Sequence, residues 1–256
     1  MVPVLTSPWY HGMSHLLWNL YAVCYERIVR LLPYQEMLDE VASALEVAPG
    51  MRVLEAGCGT GALAERLARA CPQIDYAGVD MSEAMLARAR RRRAWPPTFA
   101  FTAGNLDDFL TGQVDRYDRI ASVNVIWTLP DPRNTLARMT AGLRPGGRMV
   151  HATPRFAFRA WVVVWRDLRG QKGWRRLRAL LGLPVLLCAG LLNLLLVLQS
   201  ALAARAPRAG QRWHEDGLVA LVRDAGARPQ VVRPCYAGQA LLLVADRPAP
   251  TSGGTG

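Results

Sequence analysis

Nine residues, Val53–Gly61, read VLEAGCGTG: an apolar run, an acid, then glycines at every second position. Gly57, Gly59 and Gly61 permit a tight turn and let bare backbone approach a bound nucleotide at the carboxyl end of a strand. The third glycine falls one residue short of the dinucleotide fingerprint G-x-G-x-x-G, and no Gly-Lys-Ser/Thr follows as in a P-loop. Asp80 lies 19 residues beyond Gly61, at the end of the next apolar run. A carboxylate there can accept hydrogen bonds from both hydroxyls of a ribose.

Further along, Asn124 and Trp127 fall where a fourth strand ends, and His151 falls near the end of a fifth. The amide there can align a ligand, the indole can wall a pocket, and the imidazole can take a proton from a hydroxyl or ammonium group. Each also fits a structural role: an amide bonded to backbone, a core aromatic, a satisfied core histidine. His11 and His15 share the N-terminal segment with Trp9, Tyr10, Tyr21 and Tyr25, whose rings can surround a cation or pack as a helical stripe. His214 reads as structural. The five cysteines, Cys24, Cys58, Cys71, Cys188 and Cys235, are scattered, with no pair at metal-ligand spacing. They are expected to be reduced thiols, and no metal is expected.

Five motifs stand in order: VLEAGCGTG, then GVDMSEAML (Gly78–Leu86), AGNLDDF (Ala103–Phe109), YDRIASVNVIWTLPDP (Tyr117–Pro132) and LRPGGRMVHATP (Leu143–Pro154). With them the chain resembles the class I S-adenosylmethionine-dependent methyltransferases, closely over Met51–Pro154 and more loosely over Trp213–Pro248. The resemblance implies S-adenosyl-L-methionine as cofactor, lying over Gly57, Cys58, Gly59 and Gly61 with Glu55 near its methionyl end. Asp80 would take the ribose, and Met81 would lie beside the adenine. The adenine amine would meet the Asn105 carbonyl or the Leu106 backbone, since many relatives carry Asp where this chain has Asn105. Asn124 is expected to align substrate or cofactor, His151 to act as base, and Tyr21 and Trp127 to meet the methyl acceptor. Methyl transfer is an in-line displacement on an activated carbon, so alignment and exclusion of water matter most, and a base only if the acceptor must lose a proton.

To hold these residues the chain needs an open α/β sheet, and its apolar pattern supplies one. Strands are expected near Arg52–Ala56, Ile74–Val79, Thr98–Thr102, Arg119–Asn124, Arg148–Thr153, Gln230–Pro234 and Gln239–Ala245, with helices over Gly61–Ala70, Ser82–Arg93, Pro132–Leu143 and His214–Ala225. Ser82 and Asp131-Pro132 are helix-opening signals, and Arg144-Pro145-Gly146-Gly147 a stop. The fold class expected is a Rossmann-like seven-stranded methyltransferase sheet. Residues 1–47 form an N-terminal helical lid broken near Pro33, residues 48–154 and 213–247 the cofactor domain, 155–212 an insertion, and 248–256 a tail.

Composition sharpens the insertion. The chain has 256 residues, 51% hydrophobic, with 31 basic against 20 acidic side chains and a formal charge of +11. This excludes a disordered chain or a small disulfide scaffold. Arg155, Arg159, Arg166, Arg169, Lys172, Arg175, Arg176 and Arg178 face one acid, Asp167, so this short stretch carries +7 of the charge. Directly after it, Ala179–Ala204 holds no charged residue. That length could span a bilayer. However, the last helix and two strands must return to the same sheet, so a single crossing would divide the domain. Three readings remain: an element lying in or dipping into an anionic membrane interface, a lid over a hydrophobic acceptor's pocket, or a homodimer contact. Nucleic acid is disfavoured, because the basic run Arg88–Arg93 ends a helix, where cations meet the dipole, and no RNA-binding motif with interleaved aromatics is found. The N-terminus carries Pro3, Pro8 and Trp9-Tyr10 in place of a basic segment and apolar run, so a cytoplasmic chain, peripheral to the inner membrane face, is expected. The reading reached is a methyltransferase of a lipid-like or isoprenoid acceptor. A soluble enzyme for a hydrophobic secondary metabolite and a non-catalytic scaffold with the cofactor fold are the alternatives.

Overall fold

The computed structural model describes residues 8–155, 158–173, 182–203 and 214–249. The strands are β1 (Arg52–Ala56), β2 (Asp75–Asp80), β3 (Phe99–Ala103), β4 (Tyr117–Val123), β5 (Leu143–Pro154), β6 (Arg228–Cys235) and β7 (Ala240–Asp246). They form one seven-stranded sheet in the order β3-β2-β1-β4-β5-β7-β6. β7 runs antiparallel to both β5 and β6, and the other neighbours are parallel. The order reverses at β1, which opens a crevice above its carboxyl end, the place where open α/β sheets bind ligands.

The helices are α1 (Pro8–Val29), α2 (Leu32–Ala44), α3 (Ala62–Ala70), α4 (Glu83–Arg91), α5 (Leu106–Leu110), α6 (Pro132–Gly142), α7 (Ala160–Gly170), α8 (Leu183–Ala203) and α9 (Glu215–Asp224). Several starts follow from capping chemistry. The Ser82 hydroxyl accepts from Met85 N at 3.3 Å, Asn105 Oδ1 from Asp107 N at 2.8 Å, and Asp131 Oδ1 from Asn134 N at 3.1 Å. The N-terminal helices break at Arg30-Leu31, and Pro33 sits in the first turn of α2, where its missing N–H costs nothing.

Both sheet faces are covered. Val53, Ala121 and Val150 point toward α2, α3 and α7, while Leu54, Ile120 and Met149 point toward α5, α6 and α9. A third apolar cluster ties α1 to α4 and α8 through Tyr21, Ala22, Cys24, Met85 and Ala189. Small residues at Ala22 and Ala189 allow the two long helices close approach. Elsewhere among the described side chains of α8, Leu187 is 75% exposed, Leu191 59% and Leu194 53%, with Cys188 beside them, while the other four cysteines are buried. On α7, Trp161 and Trp165 are exposed, and the Arg169 guanidinium lies 3.3 Å from the centre of the Trp165 ring. Among the described residues no helix is long and apolar enough to cross a membrane.

Candidate active site

β1 ends at Ala56, and the chain then turns through three left-handed glycines, with φ of +73° at Gly57, +52° at Gly59 and +74° at Gly61. At Gly57 a side chain is doubly excluded, because a Cβ would fall 2.2 Å from Val125 Cγ2. Gly57 N and Cys58 N both donate to Val79 O, at 2.8 and 3.0 Å, which pins the loop to the end of β2. There Asp80 acts as a clamp. Its Oδ2 accepts from Gly59 N at 2.8 Å and its Oδ1 from Ser82 N at 2.8 Å.

Above this clamp lies a cavity of about 150 Å³ at the carboxyl ends of β1, β2 and β4. Gly57, Gly59, Asp80, Met81, Asn105, Leu106, Asn124 and Trp127 line it, so eight of the residues expected at the site converge there. Asn105 Oδ1 is engaged in capping α5. Asn124 has φ of +59°, a conformation uncommon for a residue with a side chain. Its amide hydrogen-bonds the Tyr34 hydroxyl, which lies 2.6 Å from the Tyr25 hydroxyl. Asn124 Oδ1 and Trp127 Nε1 are buried without a hydrogen-bond partner. One offers an acceptor and the other a donor.

Other expected residues lie elsewhere. Glu55 is 3% exposed beneath the loop, where Tyr76 Oη donates to it at 2.5 Å and the Ala64 backbone adds a second bond. Burial pushes its carboxyl up to about 8 despite these bonds, so it is protonated at neutral pH. Cys58 is buried against Gly78, its thiol pushed well above the usual range, first by burial. Gly61 starts α3. None of the three lines the cavity. His151 needs correction as a base: it is fully buried in β5, paired in register with Ser122 and Leu243, and its Nε2 lies 3.2 Å from Met149 Sδ. Burial lowers its pKa to about 4, leaving a neutral ring away from the cavity.

Tyr21 also misses the lining. It packs between Trp18 and Tyr25, at ring separations of 5.6 and 5.4 Å, and those two neighbours supply the wall instead. Residues 18 and 25 are two helical turns apart and share a face, a spacing from which the wall could have been read. The side chains of Trp9, Tyr10, His11 and His15 lie outside the described residues, as do Arg175, Arg176, Arg178 and the tail from residue 250.

The cavity suits S-adenosylmethionine. A bare glycine backbone and an anchored carboxylate would suit a ribose, Met81, Met85 and Leu106 would supply apolar walls for a flat base, and the partnerless Asn124 oxygen offers a neutral acceptor.

Comparison with known proteins agrees with this geometry. Residues 53–147 match the family described as "Methyltransferase domain". The chain is 36% identical over 106 residues to a trans-aconitate 2-methyltransferase of Deinococcus radiodurans, covering 41% of this chain and 39% of that protein. It is 30% identical over 117 residues to a ubiquinone biosynthesis O-methyltransferase of Alkalilimnicola ehrlichii, covering 45% and 47%. The chain thus spans less than half the length of these relatives. Among solved structures, the N-methyltransferase NodS of Bradyrhizobium japonicum, in complex with S-adenosyl-L-homocysteine, superposes with a TM-score of 0.56 at 17% identity, over 87% of this chain and 91% of that one.

Proposed function

The chain carries a methyltransferase domain of the class I S-adenosylmethionine-dependent family, and from that premise we propose that it methylates a hydrophobic, lipid-like or isoprenoid acceptor at the surface of a membrane. One observation carries the acceptor class: α8, without a charged residue from Leu183 to Ala203, lies along the helix that walls the cavity. In this reading residues 1–47 are the lid, 48–154 with 213–247 the catalytic domain, and 155–212 the element that meets acceptor and membrane.

When bound, the cofactor supplies a methyl group on a sulfonium, a carbon already activated for displacement. The chain's own part is to hold and to align. Asp80, fixed by Gly59 and Ser82, holds the ribose, and the apolar sides of Met81, Met85 and Leu106 hold the base. Asn124, steadied by Tyr34, and the Trp127 N–H present neutral polar groups that orient the acceptor. Trp18 and Tyr25 close the cavity against water, which removes the solvent shell an acceptor would otherwise keep. In this reading transfer rests on proximity and desolvation.

The test is incubation with isotopically labelled S-adenosylmethionine and fractionated cell lipids, with Asp80→Ala as control. Label should enter the lipid fraction, at least tenfold less with Asp80→Ala, whose loss removes hydrogen bonds to a charged group of about 1.5–3 kcal/mol each. Label confined to water-soluble metabolites would overturn the acceptor class. Absence of any cofactor binding would leave only the scaffold reading.

A further inference from the structure

We propose that the outer face of the α1–α8 pair docks this chain on an anionic lipid bilayer, and that docking tightens its hold on the cofactor. The second half rests on reading the cavity as the S-adenosylmethionine site; the first does not.

α8 packs on α1 more extensively than on any other element, through Leu186, Ala189 and Leu192. Outside that narrow stripe Val185, Leu187, Leu191, Leu194 and Leu195 are exposed, and Leu20 and Val23 of α1 join them. A helix apolar on every side belongs in a core or in lipid, and contiguous exposed apolar surface marks an interaction site.

Charge selects the occupant. The stretch leading into α8 carries +7. Its only acid, Asp167, is buried and accepts hydrogen bonds from Leu32 N and Gln171 Nε2. On α7 the exposed Trp161 and Trp165, the latter stacked with Arg169, are side chains that favour a headgroup layer. A second copy would bring the same basic stretch to the contact. A protein partner would look for hydrogen bonds, about one per 100–200 Å², which the exposed leucines cannot supply. A bilayer with anionic headgroups satisfies both surfaces, with α8 lying in the interface because the chain on either side of it returns to one sheet.

The coupling follows from α1 having two faces. Inward, Trp18 and Tyr25 wall the cavity, while Met85 belongs both to the cavity and to the α1–α4–α8 cluster. Polar latches hold this face down: Ser82 Oγ donates to Asn19 Oδ1 at 2.7 Å, and Arg92 Nη2 to Glu26 Oε1 at 2.6 Å. Outward, Leu20 and Val23 meet solvent. Lipid on that side favours the seated position of α1, and a filled cavity favours the same position. By linkage each must then raise affinity for the other by the same factor.

The full chain is floated with vesicles of phosphatidylcholine plus phosphatidylglycerol, or phosphatidylcholine alone, and S-adenosylhomocysteine binding is measured by calorimetry with and without them. Flotation with the anionic vesicles is expected, with S-adenosylhomocysteine held about fivefold tighter or more on them. The variant Leu187→Glu/Leu191→Glu/Leu194→Glu, and separately Val23→Glu, should lose flotation while binding S-adenosylhomocysteine in free solution as the parent does, which also reports that they fold. Flotation undiminished in both variants would refute the face. A parent that never floats but is a dimer that these substitutions split would assign the face to a second copy. Equal S-adenosylhomocysteine affinity on and off vesicles would refute the coupling. Failure of S-adenosylhomocysteine to bind at all would refute the cofactor reading, with flotation still deciding the docking face.

Discussion

The Glu55 carboxyl, closed off beneath the glycine loop, keeps its proton to about pH 8 because burial outweighs the hydrogen bond from Tyr76. Its folded pKa lies above the value of 4.5 it has when exposed, so folded chains bind more protons between the two, and stability falls as pH rises through that window. His151 works in the opposite sense. Its pKa drops from 6.5 to about 4, so its contribution grows as pH rises through that range and is complete above it. The two trends oppose each other in mild acid, and from pH 6.5 to 8 only Glu55 slopes. Across that interval the parent should lose about 1–2 kcal/mol of unfolding free energy, and Glu55→Gln should flatten the loss. Urea titrations at the two pH values check this; an equal slope in the variant would remove Glu55 as the cause. Neither shift is legible in sequence. The motif places Glu55 at the end of β1, but only the packing of Tyr76 and α3 shows that it sits below the loop. His151 has a strand-end position yet lies in a central stretch of β5 covered on both edges, which a one-dimensional pattern does not reveal. Tyr21 is a matter of helical phase, half a face away from the wall formed by Trp18 and Tyr25.

Among the elements, the strands follow the apolar pattern, each starting within two residues of expectation except β5, which begins five residues earlier at Leu143. Its Pro145-Gly146-Gly147 segment, a stop signal by composition, is carried inside the strand across an irregular register with β4. α5 escaped the pattern because five residues are too few for a periodicity, though Asn105 followed by two acids is a readable cap. α7 escaped because its continuous Trp161–Trp165 segment resembles an apolar run more than an amphipathic helix. The element with most at stake is α4, whose C-cap Arg92 joins three others. Its guanidinium donates to Thr60 O at 2.8 Å and Thr60 Oγ1 at 3.1 Å on the glycine loop, to Glu65 Oε2 at 3.0 Å on α3, and to Glu26 Oε1 at 2.6 Å on α1. Arg92→Ala should cost about 1–3 kcal/mol, and Arg92→Lys should recover only part, since an ammonium cannot reproduce the fork. Denaturant unfolding with an unchanged m-value would support a native-state effect, and a loss below about 0.5 kcal/mol would contradict the joint.

At the scale of the whole molecule the sequence motifs were enough to place the sheet and the cofactor crevice, because strand ends and glycine turns are local. The relation of the insertion to the rest was not local. That α8 lies along α1, so that one helix separates the cavity from the apolar surface, depends on packing between elements about 160 residues apart that no periodicity encodes. In the sequence, the stretch that carries +7 of the +11 stands directly before α8. The pairing of α8 with α1 also bears on Cys188, the exposed thiol among five, set among the outward leucines of α8. A maleimide should modify it quickly in the free chain while the four buried thiols lag. Anionic vesicles should slow that reaction, and unchanged kinetics on fully floated protein would contradict the orientation. The native chain therefore carries its own immersion gauge: a bimane or nitroxide on this sulfur would read polarity and depth against the headgroups, with no cysteine to be engineered in or removed.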